Sequence, residues 1–257
     1  MERLTNGVEQ LDGRLDDPDA LAGNLRDLRR INRWLGGVRV SARAIDALVA
    51  HRGGLTVLDI GTGGADIPLA LLARGDRRGQ RVAVVAIDSR PEIVALARQA
   101  ADAAEAPPGR LEIRQADGLG LPFANDGFDI AHASLVLHHL EPKAAVQLLR
   151  EMARVARLGV VVNDLQRSRL GWLGAWLIGH LLTGNRYTRT DAPLSVRRAY
   201  TAEEAAALLG AADLVPVATA RSTIGQRYAI AAVAAPSGPV AGGTVAAEHP
   251  YDEAVRP

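Results

Sequence analysis

Val57-Leu58-Asp59-Ile60-Gly61-Thr62-Gly63-Gly64-Ala65-Asp66 joins a short apolar run to an acid and then to a cluster of glycines. The apolar residues have the length of a buried strand, and the glycines mark a turn where main chain comes close to a ligand. The acid indicates what kind of ligand. A carboxylate at the entrance of a loop repels a pyrophosphate and attracts an ammonium group. The dinucleotide fingerprint G-x-G-x-x-G also fails, because its third glycine falls at Asp66.

Outward from this unit the pattern alternates. Strands are expected at 56–60, 81–87, 111–115, 128–134 and 159–162, and helices at 67–74, 90–104 and 142–155. Near-continuous apolar strands separated by helices predict a doubly wound, Rossmann-like α/β sheet. An antiparallel pair at 214–219 and 228–234 completes a mostly parallel sheet of seven strands. Ligands on such sheets lie beyond the carboxyl ends of the strands, where Asp59, Asp88, Asp117 and Ser134 fall.

The flanks read differently. Leu25, Leu28, Ile31 and Leu35 recur at helical spacing with arginines between them, and Gly36-Gly37 ends that helix. A second helix is expected at 41–51, so residues 1–54 form a helical N-terminal cap. The core domain spans 55–235. Within it, about 164–198 breaks the alternation and reads as an inserted lid. There Trp172, Leu173, Trp176, Leu177, Leu181 and Leu182 make an apolar helix, and 185–191 a polar loop. Thr201 with Glu204 predicts a capping box. Residues 236–257, rich in Pro, Gly and Ala, are expected to be a flexible tail.

Composition narrows the function. The chain has 257 residues, 48 % hydrophobic, with a formal net charge of +1. No global field draws it to nucleic acid, and it lacks a basic stripe with interleaved aromatics. The absence of cysteine excludes disulfides, thiolate metal sites and a cysteine nucleophile, and fits a reducing compartment. The apolar stretch at 170–182 is shorter than the roughly 20 residues needed to span a bilayer. A cytoplasmic monomer or homodimer without stable membrane insertion is expected.

From about Thr56 to Val162 the sequence resembles the class I S-adenosylmethionine (SAM)-dependent methyltransferases, in which an acid followed by G-x-G-x forms motif I. It is similar to the small-molecule enzymes of quinone and polyketide biosynthesis. The resemblance implies SAM as cofactor. Asp59 would face its ammonium, directly or through water, and Gly61, Thr62 and Gly63 would let main chain lie against its methionine part. Asp88 would take the ribose hydroxyls, with Ser89 beside the adenine; an N-cap before Pro91 is the plain alternative. Asp117, Gly118 and Leu119 would read and wall the adenine, or make an ordinary Asp-Gly turn. Ser134 would pass under the methionine part, while Asp129 is structural.

Ser134-Leu135-Val136-Leu137-His138-His139-Leu140 resembles the serine–x–x–x–His–His signature of small-molecule methyltransferases. A phenol has a reference pKa of about 10, so a base near neutrality helps, and histidine suits that task. His139 and His138 are therefore candidate catalytic residues, with structural roles for both as the alternative. As a metal pair they are poor, since adjacent residues do not converge on one ion. No metal is expected. Asn163-Asp164 ends the fifth strand, and Asp164 is a second candidate base.

The regions 160–170 and 191–201 resemble alkylresorcinol O-methyltransferases encoded beside polyketide synthases. Trp172 and Trp176 would wall an apolar acceptor cavity, with Arg189, Arg198 and Tyr200 orienting its polar end; core or dimer interface is the alternative for the tryptophans. Arg30, Asn32 and Trp34 would close over the cofactor, or simply form an exposed face. The expected reaction is methyl transfer to a hydroxyl of a small apolar aromatic acceptor. C-methylation of a quinol or isoprenoid-type substrate and non-catalytic SAM binding remain open. An NAD-dependent dehydrogenase is disfavoured by Asp66 and by the lack of a Tyr-x-x-x-Lys.

Overall fold

The computed structural model describes residues 1–5, 7–49 and 53–236. The tail from 237 and residues 50–51 of the second expected helix lie outside the described residues. The elements run α1 (Pro18–Trp34), α2 (Gly37–Leu48), β1 (Gly54–Ile60), α3 (Asp66–Arg77), β2 (Arg81–Asp88), α4 (Pro91–Ala103), β3 (Leu111–Gln115), β4 (Phe128–Ser134), α5 (Pro142–Val155), β5 (Ala156–Leu165), α6 (Arg169–Leu177), α7 (Arg186–Arg198), α8 (Ala202–Ala211), β6 (Leu214–Ser222) and β7 (Arg227–Ala234). The strands form one seven-stranded sheet in the order β3-β2-β1-β4-β5-β7-β6. β3, β2, β1, β4 and β5 are parallel, while β7 is antiparallel to both β5 and β6.

Strand sequences dictate this order. β4 and β7 are buried nearly end to end, as strands covered on both faces must be. β3 and β6 alternate buried and exposed residues or are largely exposed, and they lie at the edges. Alternate residues of each inner strand enter opposite cores. Val57, Ile130, Val161 and Ala229 pack with α2, α3 and α4 on one face. Leu58, Ala131, Val160 and Ile230 pack with α5 and α8 on the other. On the first face, near the carboxyl ends, the apolar sequence gives way to Asp59, His132 and Asn163. β7 runs the opposite way, so its first residue, Arg227, lies at the same rim, paired with Leu165.

Local signals explain most boundaries. Asp17 caps α1 through the amide of Ala20, and Pro18 opens the helix. Gly36 adopts φ +87° and stops α1, but Gly37 begins α2 instead of trailing α1. The capping box at Thr201 and Glu204 is present in both directions. Two expectations are corrected. Among the described residues up to 17, helix is limited to a single 3-10 turn (Gln10–Asp12). The expected polar loop at 185–191 is the start of α7: Asn185 accepts hydrogen bonds from the amides of Tyr187 and Thr188, and Pro193 is carried inside the helix. A π-helical turn (Ile178–Leu182) lies between α6 and α7. Among the described residues, no helix is long and apolar enough to cross a membrane.

The β6–β7 turn is wedged under the α1–α2 junction. Ser222 donates to the carbonyl of Leu35 at 2.8 Å, and a Cβ on Gly225 would lie 1.9 Å from that same oxygen. Gly225→Ala is therefore expected to destabilise the fold by about 1–3 kcal/mol, read as a lower urea midpoint with unchanged slope. An unchanged midpoint would mean that the turn and the N-terminal helices are not tightly docked.

Candidate active site

Between β1 and β4 the order of strand connections reverses, so the loops after these strands diverge and leave a crevice. After β1 the chain turns through Gly61 (φ +67°) and Gly63 (φ +53°). A Cβ on Gly61 would approach Val136 Cγ2 to 2.4 Å, so this position admits only glycine. A cavity of about 380 Å³ opens over the turn, and Asp59, Gly61, Thr62, Gly63, Asp88, Ser89, Asp117, Gly118, Leu119 and Ser134 all line it. These are the ten positions the sequence suggested for a cofactor.

The cavity is negative and holds an unsatisfied group. Asp59, Asp66, Asp88 and Asp117 contribute carboxylates, and the buried hydroxyl of Thr62 has no hydrogen-bond partner. Asp88 accepts from the amides of Gly63 (3.2 Å) and Arg90 (3.1 Å), so it also ties the turn before α4. Asp117 accepts from the amide of Leu119 at 2.9 Å, the Asp-Gly turn of the plainer reading. Burial pushes the carboxyls of Asp88 and Asp66 above their ordinary range, and the nearby charge of Asp59 pushes the same way. A cationic ligand would relieve both. Glycine-lined main chain, an orphaned hydroxyl and clustered acids fit SAM, which carries an ammonium and a sulfonium.

Beneath the crevice runs a buried hydrogen-bonded chain that the sequence did not announce. Register sets Asp59 beside His132 on neighbouring strands, and His132 Nδ1 lies 2.6 Å from Asp59 Oδ1. His132 Nε2 meets Ser41 Oγ at 2.8 Å. The Asn163 amide donates to Ser41 Oγ at 2.7 Å and to the Gly37 carbonyl at 3.0 Å. Arg227 donates from Nε to Asn163 Oδ1 (3.3 Å), from Nη1 to Asn32 Oδ1, and from Nη2 to Ser134 Oγ (3.3 Å). Asn32 then donates to Asp66 Oδ2 at 2.9 Å. Every donor points away from Arg227 toward an aspartate if His132 carries its proton on Nδ1. Asn32 thus lines the larger cavity, whereas Arg30 and Trp34 are exposed.

A second cavity, about 170 Å³, adjoins the first beneath α1, α6 and α7. A 3-10 turn (Leu137–His139) sets both histidines on its wall. The argument that adjacent histidines diverge is corrected here. Their rings lie 4.2 Å apart at 34°, and Glu9 Oε1 is 3.8 Å from His138 Nε2 and from His139 Nδ1. Those three side chains are close enough to share an ion, but the same Glu9 oxygen already faces Arg198 Nη1 at 3.2 Å.

Asp164 is not an exposed base. It is fully buried outside both cavities. It accepts from the His138 amide (3.0 Å), and its Oδ1 lies 2.7 Å from His138 Nδ1, which fixes that ring. His139 Nδ1 lies 2.7 Å from Asp12 Oδ1. The approach is too oblique for a well-formed hydrogen bond, because Nδ1 finds no aligned acceptor, so the contact is mainly an ion pair. Burial opposes a charged His139, but the Asp12 and Glu9 carboxylates outweigh it and raise its pKa above the usual histidine value. Arg198 locks this corner by donating to Asp12 (2.6 Å), Glu9 (3.2 Å) and the His139 carbonyl (2.8 Å).

The remaining acceptor-site expectations are corrected. Trp172 and Trp176 stand 37 % and 38 % exposed on the outer face of α6. Its opposite face, with Gly171, Gly174 and Ala175, lines the cavity. Arg189 is exposed on α7. Tyr200 is a core residue whose hydroxyl donates to the Leu140 carbonyl at 2.8 Å, and burial pushes its pKa up to about 12. Arg198 is consumed by the ion pairs just described. Asp129 is structural, bonded to Thr56 and Arg157.

Residues 57–159, the strands and turns that build the larger cavity, match the family model described as a methyltransferase domain. The chain is a SAM-dependent methyltransferase. SAM is the cofactor of this methyltransferase. Solved structures of the same fold include an Aquifex aeolicus SAM-dependent methyltransferase (18 % identity, 84 % of this chain and 97 % of that one, TM-score 0.59). An O-methyltransferase family 2 protein from Planctomyces limnophilus, solved with apigenin, is 20 % identical over 86 % of this chain and 63 % of that one (TM-score 0.61). The magnesium protoporphyrin IX methyltransferase of Synechocystis, solved with S-adenosylhomocysteine (SAH), is 18 % identical over 87 % and 90 % (TM-score 0.54).

The buried chain gives a stability prediction for this methyltransferase. His132→Leu would leave Asp59 and Ser41 facing an apolar group. A loss of about 2–3 kcal/mol in the urea unfolding free energy is expected. A neutral effect would show that water or rearrangement satisfies both groups.

Proposed function

We propose that the enzyme transfers a methyl group from SAM, held in the larger cavity, to a hydroxyl of a small, largely apolar aromatic acceptor held in the smaller one. The observation that carries this is the shared wall: Leu11, Leu28, Leu135 and His139 line both cavities. Leu135 holds φ +59° there, a costly conformation for a branched residue and one that concentrates at functional positions.

The chain's own residues divide the work. Asp59, Gly61, Thr62, Gly63, Asp88, Ser89, Asp117, Gly118, Leu119 and Ser134 hold the cofactor. Bound there, SAM supplies a methyl on a cationic sulfur, so the reagent is already activated and positioning provides much of the catalysis. His139, at the shared wall, takes the hydroxyl proton. Its raised pKa brings it closer to that of a phenol, about 10, which helps the transfer. Asp164 holds His138 so that its Nε2 faces the acceptor cavity and positions the acceptor. Residues 1–54 act as an N-terminal cap and about 164–198 as a lid on the 55–235 domain, because α1, α6 and α7 roof the smaller cavity. Its apolar lining from Leu28, Ile31, Leu35, Ala175 and Ile178 suits a phenol of polyketide type, including an alkylresorcinol. The Planctomyces relative solved with apigenin, itself a phenol, points the same way.

Incubation with SAM and a panel of phenols is expected to yield SAH and an aryl ether, identified by NMR. A ring-methyl product would make the enzyme a C-methyltransferase, and SAM binding with no turnover of any phenol would overturn the phenolic acceptor. In the same assay Asp88→Ala is expected to weaken SAM binding by about 1–3 kcal/mol; unchanged affinity would remove Asp88 from the site.

The pH profile tests His139. The acid limb of kcat/KM should lie above the ordinary histidine value of about 6.5. Asp12→Asn removes a negative neighbour, lowers the His139 pKa and should move that limb to lower pH. A limb that stays put would assign the proton to another group.

A further inference from the structure

Arg227 is the largest fully buried side chain of the described residues, 2 % exposed. Its three hydrogen-bond partners, Asn163, Asn32 and Ser134, are all neutral, and among the described residues no carboxylate lies within ion-pair distance of it. Asp66 and Asp164 act on it only from beyond that distance. Burial lowers its pKa to about 10, which leaves it charged at neutrality. A buried cation without a contacting anion is costly, and such groups are ordinarily paired.

Position supplies the missing half. Arg227 lines the smaller cavity, while its partners Asn32 and Ser134 line the larger one. It therefore stands in the partition, near the wall that His139 shares. The anions on the acceptor side have donors of their own. Glu9 is held by Ser195 (2.7 Å) and Arg198, and Asp191 by the amides of Gln10 and Leu11 (3.0 and 3.1 Å). The charge left without a contacting counterion on that wall is the guanidinium.

We infer that Arg227 is a specificity-determining residue that binds the acceptor as an oxyanion, an ionised phenol or a carboxylate, at the partition between the two cavities. This rests on the two-cavity reading of methyl transfer. It narrows the acceptor from any small apolar aromatic to one with an acidic group at the end nearest the cofactor. A guanidinium there stabilises the ionised form of a phenol and reduces the work left for His139.

Binding, not turnover, tests this. The full-length protein saturated with SAH would be titrated with 4-hydroxybenzoate, with its near-isostere 4-hydroxybenzamide, and with 4-nitrophenol at a pH where most of the free phenol is neutral. The expected result is at least about tenfold tighter binding of the acid than of the amide, or 4-nitrophenol that absorbs as its anion when bound, a shift of about one pKa unit or more. Arg227→Met should abolish the preference, and Arg227→Lys should keep part of it. Equal affinity for acid and amide together with neutral bound nitrophenol would overturn the inference. So would an Arg227→Met protein that weakens SAH but not 5′-methylthioadenosine while leaving the acid preference intact, which would give the residue to the cofactor's carboxylate. If Arg227→Met does not fold, the wild-type comparison decides alone. Failure of methyl transfer with every acceptor would instead refute the two-cavity reading, whatever the binding preference.

Discussion

Polar groups taken out of water must satisfy one another, and this constraint organises the rim of the sheet. Asp59, His132, Ser41, Asn163, Arg227, Asn32 and Asp66 are linked without a break. They come from β1, β4, α2, β5, β7, α1 and the start of α3. Any one of them alone would be an expensive group in a desolvated place. Together they fix how the N-terminal helices sit on the sheet and how the antiparallel strand enters it. The chain also sets the electrostatics of the crevice above, because its two carboxylate ends face the larger cavity and its cation faces the smaller.

The sheet was legible because its inner strands are covered on both faces. A run such as Val57-Leu58 before Asp59-Ile60, or Ile130-Ala131 inside β4, leaves few alternatives to a buried parallel strand. Bounds for β3, β4 and α5 agree with expectation to the residue; Gly127 precedes β4 and Pro142 opens α5. The flanks were harder. Residues 1–17 carry no hydrophobic period; tertiary ion pairs through Glu9 and Asp12 place them instead. The start of α7 looked like a loop because Asn, Thr and Asp dominate it. Its helix is held by the Asn185 cap and by burial of Tyr187, Val196 and Arg198.

Residues in the short turns that follow single strands were easier to place together than those assembled from afar. The glycines and acids after β1, β2 and β3 are local signals, and they converge on one cavity. The smaller cavity is built from helix faces, and face orientation depends on packing that composition does not reveal. The small residues Gly171, Gly174 and Ala175 face the cavity, while the tryptophans lie outward and part-exposed. His132 left a trace that was readable: a lone imidazole in an otherwise apolar strand needs a partner. Arg227 left almost none, because a cation opening a strand is ordinarily solvated.

The placement of β7 has a consequence for synthesis. This strand inserts between β5 and β6, yet it is translated about 60 residues after β5 is complete. At about 5–20 residues per second, the nascent sheet waits on the order of 3–12 s with an open β5 flank before the guanidinium arrives. During that interval the ribosome-bound chain presents an unpaired, apolar edge suited to capture by a chaperone or by a neighbouring nascent copy.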